Sequence, residues 1–400
     1  ESYNPVTDTI NAGARTKRLF NGTVEDYMNM MKNLYIVIIF SVMPSLILAQ
    51  NGGVNSTVSK KDTQNKEKIV TGKSSDYNKI RYKNGDVYEG EFVKGKRQGE
   101  GTYFFSDGEK YSGQWFQDQQ HGRGVFTFKN GNVYDGLWYK DYQQGHGVMR
   151  YYNGDVYDGE WAMDKRNGMG RYTFANGAYY DGMWKNDVKS GHGRFVWKDG
   201  SEYVGDWNNN LKEGKGIYIY HSGEEYNGDW KNDLRNGKGV YKFSNGDIYE
   251  GDYLDDERTG QGILRYKNGE QYTGRFLKGL KSGFGTMVWK NGDTYVGNWE
   301  NGLQNGQGKL TKKDKDIIEG QFRNGYMDGQ IIIHYADGSR FRGMYRNGKR
   351  NGGAIEQDKK GIRFEGFYRD DIRDGKFTET DSNGNVVAQG YYEKGIRHNN

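Results

Sequence analysis

The chain has 400 residues, among them 62 Gly, 33 Tyr, 18 Phe and 9 Trp but only two Pro and no Cys, and its 58 Lys and Arg against 53 Asp and Glu leave a net charge of +5. Collagen is excluded, because it needs Gly at every third position and abundant Pro, and so are disulfides, thiolate metal sites and a cysteine nucleophile. Leu, Ile, Val and Phe together fall below the ~20 % at which disorder becomes the default, yet the low net charge and 15 % aromatics favour a fold that packs rings against glycine.

Residues 1–30 are polar and read as an extension ahead of a leader, of the kind a misplaced start adds. Met31-Lys32-Asn33 then opens an apolar run from Leu34 to Leu48, closed by Ala49-Gln50. A short basic start, an apolar stretch and a small residue at its end identify residues 31–49 as a signal peptide. That predicts an extracytoplasmic or secreted protein. A short membrane anchor is the alternative, although the run is shorter than the ~20 residues a spanning helix needs and contains Pro44. A buried segment is a third reading. Residues 50–79 are rich in Lys, Asn and Ser, carry almost no aromatics, and read as a flexible linker.

From residue 80 to residue 400 the chain is one repeat. Tyr88, Tyr111, Tyr134, Tyr157, Tyr180, Tyr203, Tyr226, Tyr249, Tyr272 and Tyr295 follow each other at 23-residue steps, and Ile318, Phe341 and Phe364 keep the register. Each has a Gly two places on and, after two more, a second ring: Phe92, Trp115, Trp138, Trp161, Trp184, Trp207, Trp230, Tyr253, Phe276, Trp299, Phe322, Tyr345 and Tyr368. A Gly-x-Gly follows, as in Gly122/Gly124 and Gly237/Gly239, then a short aromatic run and an Asn-Gly or Asp-Gly. Such self-similarity marks a repeat architecture and overrides the domain count suggested by length.

Tyr-x-Gly-x-Trp followed by Gly-x-Gly at this period resembles the MORN repeat, in about 13–14 copies over residues 80–395. Departures gather near the end: Lys315 replaces the turn Gly, Ile331, Ala354 and Phe377 replace the second Gly of Gly-x-Gly, and the last copy slips at Gly390. These copies are expected to pack less regularly or to form a cap, for which Arg397 to Asn400 are suitably polar.

The residues also give the shape of the unit. In Val125 to Tyr134, two alternating segments flank a turn signal. A two-residue Asn-Gly turn would set Phe126 opposite Asp135. A three-residue loop, Lys129-Asn130-Gly131 with Gly131 left-handed, instead pairs Phe126 with Tyr134 and Gly124 with Gly136, gathering the aromatics on one face. The facing glycines then leave a floor for neighbouring rings. The predicted fold is all-β: an elongated single-layer antiparallel meander of tandem 23-residue β-hairpin repeats, about 120 Å long at strand spacing. Single-layer geometry leaves the rings needing strong twist or a second layer, which predicts self-association through the aromatic face.

Enzymatic chemistry finds no scaffold. The Gly90-to-Arg97 and Gly343-to-Arg350 stretches approach a phosphate-binding loop but lack the magnesium-binding Ser/Thr and the strand–helix context, so no nucleotide is expected. His146 and His192 share a Gly-x-Gly column two repeats apart, ~19 Å at strand spacing, and read as solvent-facing turn histidines. No metal or cofactor is expected of them. Asp135, Asp158 and Asp181 recur as a ladder rather than as a paired cleft.

One column invites a functional reading. Nine places after each repeat's first aromatic lie Arg166, Lys189, Lys212, Arg235, Arg258 and Lys281, six consecutive cations assigned to inter-hairpin loops. They would suit an anionic membrane surface at roughly 1 kcal/mol each. Asp164, Asp187, Asp233 and Asp256, two residues before four of them, suggest neutral solvated turns instead. Over residues 80–400 the net charge is only +2, which is no nucleic-acid footprint. The expectation is therefore a non-catalytic scaffold for protein partners or itself, with anionic phospholipid as the alternative ligand. The resemblance supplies that alternative, because junctophilins and plant phosphatidylinositol phosphate kinases carry such repeats, but no kinase domain is present here.

Overall fold

The computed structural model describes residues 77–399 and the strand Lys66–Glu67. The predicted leader at 31–49 and most of the predicted linker lie outside the described residues. Within them, thirty-one strands form one antiparallel sheet, laid down in chain order. The all-β meander is as the sequence predicts.

From Val87 to Gln357 each repeat contributes a seven-residue and a nine-residue strand, for example Val133–Tyr139 and Tyr142–Arg150; past Arg369 the second strand is broken into Ile372–Arg373 and Gly375–Thr380. Two different connections alternate. At the first, the Phe128 N–H donates to Asn132 C=O and the Gly131 N–H to Phe128 C=O, both at 2.9 Å, closing the three-residue loop 129–131 with Gly131 at φ +86°. Phe126 then faces Tyr134 and Gly124 faces Gly136, the predicted register. At the second, Lys140 and Asp141 both take positive φ, 52° and 70°, a two-residue turn of the I′ kind that matches strand twist. Sequence reasoning placed these aspartates in solvated turns but gave the turn neither its length nor its type, because Lys-Asp is not a strong turn pair. The signal lay one position over, in the column Asp118, Asp141, Asp164, Asp187, Asn210, Asp233, Asp256, Gly279, Gly302, where every residue tolerates the left-handed region.

Gly-x-Gly is accordingly not a turn. Its first glycine, Gly145 at φ +72°, lies where the pairing shifts register between Gly136 and Trp138, a β-bulge. Its second, Gly147, pairs with Gly136 on one side and Gly159 on the other. Alternation then puts Tyr134, Gly136, Trp138, Gln143 and Gly147 on one face and Asp135, Leu137, His146 and Val148 on the other.

The array starts earlier than residue 80. Tyr77–Tyr82 is a strand paired with Val87–Val93, and Lys66–Glu67 pairs in turn with Tyr82 and Arg81. Asn78, not a glycine, faces Gly90, so the repeat signature is missing although the backbone pairing is made. At the other end the core changes character. One buried cluster runs from Tyr88 to Phe322, a second from Ile331 to Tyr392, with Ile318 and Met327 touching both.

Candidate functional site

The aromatic face is built from one contact repeated. Tyr134 stacks edge-on against Trp138 of its own repeat at 5.2 Å and against Trp161 of the next at 5.4 Å. The same alternation links Tyr111, Trp115, Tyr157, Tyr180, Trp184, Tyr203, Trp207, Tyr226 and Trp230. Edge-to-face pairs suit the ring quadrupole and add about 0.5–1.5 kcal/mol each beyond burial. Each Tyr hydroxyl donates to the carbonyl three residues on, as Tyr134 does to Leu137 at 2.9 Å. Trp indole N–H groups reach back one repeat, from Trp138 to Gly124 C=O at 3.1 Å. Every ring is thus fixed at both its apolar body and its polar handle.

These rings are already covered. Tyr134 is 0 % exposed and Trp138 6 % within the single chain. Aromatic surface is not left over for a second layer, which corrects the expected self-association through this face. Close approach of Tyr to glycine backbone, together with long side chains laid over the tryptophans, replaces the missing layer. Burial also pushes the phenols upward, Tyr272 and Tyr295 to about 12, so they stay neutral and keep donating.

The long side chains are the predicted cations, and their place differs from the expected one. Arg166, Lys189, Lys212, Arg235, Arg258 and Lys281 are not in loops; each is the second residue of a nine-residue strand. Each lies over the second ring of the following repeat: Arg166 Cζ at 4.3 Å from Trp184, Lys189 Nζ at 3.9 Å from Trp207, Lys212 Nζ at 4.3 Å from Trp230. Arg235 meets Tyr253, Arg258 meets Phe276 and Lys281 meets Trp299 in the same way. The aspartate that answers Arg166 is Asp187, 21 residues later, which accepts from both its backbone N–H and its Nε at 3.0 and 3.1 Å. Asp187 returns its own N–H to Arg166 C=O. The I′ turn points its aspartate at the preceding repeat, a direction that residue spacing does not reveal. Burial over the rings pulls Lys189 down to about 8, opposed by Asp233, and lowers Lys212 and Lys281 as well.

Other sequence candidates take structural places. His146 and His192 stand in strands on the polar face, not in turns, beside Asp158 at 3.0 Å and Asp206 at 3.1 Å. Gly95 and Gly348 of the two phosphate-loop look-alikes sit in two-residue turns between strands. Among the described residues, no group of three His, Cys, Asp or Glu side chains is arranged to hold a metal. The polar face carries a ladder of cross-strand ion pairs instead. Arg171 meets Asp181 at 2.5 Å, Arg194 meets Glu202 at 2.7 Å, and Lys215 meets Asp229 as Lys238 meets Asp252.

A family model described as MORN repeat matches twelve stretches, in unbroken 23-residue steps from 88–110 to 295–317, then at 319–340 and 364–386. Comparison with curated proteins gives no match. Among solved structures, similarity is found to the wild-type TCP10 domain of Danio rerio CPAP in complex with a peptide of Danio rerio STIL, at 12 % identity and TM-score 0.29, over 62 % of this chain and 99 % of that one. The SAS-4 (dCPAP) TCP domain of Drosophila melanogaster, in complex with a Proline Rich Motif of Ana2 (dSTIL), matches at 16 % identity and TM-score 0.26, over 39 % and 85 % of the two chains. A streptogramin B lyase matches at 14 % identity and TM-score 0.13, over 70 % and 94 %. None superposes closely enough to transfer a function.

Proposed function

The chain belongs to the MORN-repeat family, and on that footing we propose that it is a non-catalytic scaffold whose protein partners dock on the polar face and its turn edges. The observation that carries this is the division of labour between faces. Rings and cations of one face are consumed in holding repeat to repeat, whereas the other face presents its side chains to solvent. The backbone period is constant while the side chains on this face change from repeat to repeat (Arg123, His146, Met169, Lys215, Phe284), so one frame offers a series of different footholds, as extended repeat surfaces that bind other proteins do.

The predicted leader at 31–49 supports placing this scaffold outside the cytoplasm. Intact-mass measurement of the mature protein tests that part: an N-terminus near Gln50 agrees with it, and a soluble intracellular product retaining residues 31–49 overturns it. For the scaffold itself, a photo-cross-linking residue at Phe284, which is 64 % exposed on the polar face, should yield discrete adducts in the producing cell. The same residue at Trp207 should yield none. Adducts from neither site would sink the proposal. Anionic lipid remains the alternative outcome, but cations half-buried over rings give it little support, and flotation with phosphatidylserine vesicles decides it.

A further inference from the structure

The edge of the polar face that carries the I′ turns is apolar through the middle of the array. Leu211, Leu234, Leu254, Leu277, Leu280 and Leu303 each flank one of these turns, and each is between 38 % and 56 % exposed. Strand alternation points them away from the rings: Leu254 directly follows buried Tyr253, and Leu277 follows buried Phe276. Tyr326, 61 % exposed, extends the stripe to six consecutive turns. Arg346 and Lys349 flank the turn after it, and at the other end Val188 is half-buried beside Lys185. Two strands of ~4.8 Å per repeat set the turns ~9.6 Å apart, so the stripe covers roughly 50 Å by 12 Å, about 600 Å². Monomers rarely leave a contiguous apolar patch larger than a few hundred Å² exposed.

The charges among these leucines fall into two opposite halves. Lys231 stands across its turn from Leu234, and Glu300 across its turn from Leu303. Between them, Asp255 follows Leu254 with Glu257 closing the same turn, whereas Lys278 follows Leu277. All five charged side chains are exposed. Asp255 accepts from the Asn236 amide at 3.0 Å and Glu300 from that of Asn305, both neutral donors. Asp256, the other acid of the first central turn, is turned away to Arg235 at 2.9 Å.

Reversing the order of the turns therefore exchanges each charge for its opposite. A two-fold axis across the array, midway between the turns 254–257 and 277–280, lays each of these turns on the other in a second copy. Asp255 and Glu257 then meet Lys278, the turn of Lys231 meets that of Glu300, and all four turns carry leucine. The outermost pair sets the turn of Leu211 against that of Tyr326. Residues flanking one turn are ~5 Å apart, within reach of a lysine from the facing turn. Moving the axis by half a repeat spoils the match. One way it sets Asp255 and Glu257 against themselves; the other way it sets Lys278 against itself and Lys231 against Arg323. The shorter aromatic run at Phe116, Tyr139 and Tyr142 lacks such symmetry, because a two-fold between Phe116 and Tyr139 sets Lys96 against Lys165. A surface complementary to its own reverse is what an isologous dimer requires, and a second copy repeats the 23-residue step without drift. We propose that the chain pairs antiparallel with a second copy of itself through the stripe from Leu211 to Tyr326. Two such footprints bury about 1,200 Å², the lower end of a stable standard-size interface. This goes beyond the scaffold reading, which concerns other proteins.

The test is sedimentation velocity of the full chain at micromolar concentrations, where the parent should be a dimer. Lys231→Glu should weaken the dimer at least ~10-fold, because symmetry counts the Lys231–Glu300 meeting twice. Glu300→Lys should do the same, and the variant carrying both changes should return to the parent's dissociation constant. Leu254→Ser together with Leu277→Ser should leave only monomer. All four positions are exposed, and an unchanged far-ultraviolet circular dichroism spectrum checks that each variant keeps its sheet. A parent that stays monomeric, or a dimer indifferent to the two leucine changes, overturns the proposal. So does a double charge variant that loses more than either single one, since no antiparallel match at these turns then exists. Phosphatidylserine vesicles that float a monomeric chain, and lose it with Leu254→Ser and Leu277→Ser, would overturn the second copy as occupant. If Phe284 adducts with other proteins form from a monomeric chain, this pairing falls and the scaffold stands.

Discussion

The Tyr134 hydroxyl and ring fill the space that a Cβ on Gly147 would need. The same holds for Tyr180 over Gly193 and Tyr203 over Gly216. The chain itself shows that this is a volume constraint. All ten tyrosines from Tyr88 to Tyr295 have Gly thirteen residues on. Where Ile318, Phe341 or Phe364 stands in place of the tyrosine, that residue is Ile331, Ala354 or Phe377, each buried. Losing the hydroxyl, or the ring, makes room for a side chain.

Gly147→Ala is therefore expected to destabilise the array by about 1–3 kcal/mol through overpacking. Adding Tyr134→Phe should recover part of that loss, because the chain already combines Phe341 with Ala354 thirteen residues on. Chemical denaturation of the two single variants and the double variant closes a mutant cycle. Strict additivity would show that the two positions do not share one space.

The turn aspartates should be worth more than their sequence position suggests. Asp187→Ala removes the acceptor of two hydrogen bonds from Arg166 and puts a Cβ-bearing residue without a polar side chain at φ 71°. A cost of about 1–3 kcal/mol is expected. Asp187→Gly should cost less, since Gly279 and Gly302 keep the backbone bond alone in their repeats. Thermal melts rank the two variants, and the reverse order would refute the account.

Lys189 predicts a pH signature. Burial lowers its folded value to about 8, while an unfolded lysine titrates near 10.4. Between those values the unfolded chain holds the extra proton, so stability from this residue rises with pH. Below pH 8 both states are protonated and the contribution is flat, at its least favourable. Lys189→Met should flatten the rise between pH 8 and pH 10 relative to the parent chain. Parallel melting curves of the two proteins over that window would count against a desolvated ammonium.

Trp207 separates ring stacking from hydrogen bonding. Trp207→Phe keeps an edge-on ring in the ladder, as Phe276 does, and loses the bond to Gly193 C=O at 3.1 Å together with part of the ring beneath Lys189. A cost of about 0.5–1.5 kcal/mol is expected for that bond, against about 3–5 kcal/mol for Trp207→Ala. Equal losses in denaturant midpoints would mean that the indole N–H, not the ring, holds this repeat.

Periodicity alone determined the unit, its register and its aromatic face, because a 23-residue step repeated without insertion leaves one pairing that puts Phe126 against Tyr134 and Gly124 against Gly136. It also fixed the family. Where side chains reach beyond their own repeat, the sequence was silent. Arg166 looked like a loop cation beside Asp164; the I′ turn at Asn186 and Asp187 instead brings the next repeat's carboxylate to it and lays its guanidinium on Trp184. Tyr88 and Trp115 looked like surface awaiting a partner; the close approach of phenol to glycine backbone buries them within one layer. Pairing along the chain follows from local pattern, whereas contacts between neighbouring repeats depend on bulge and turn geometry that only the folded backbone supplies.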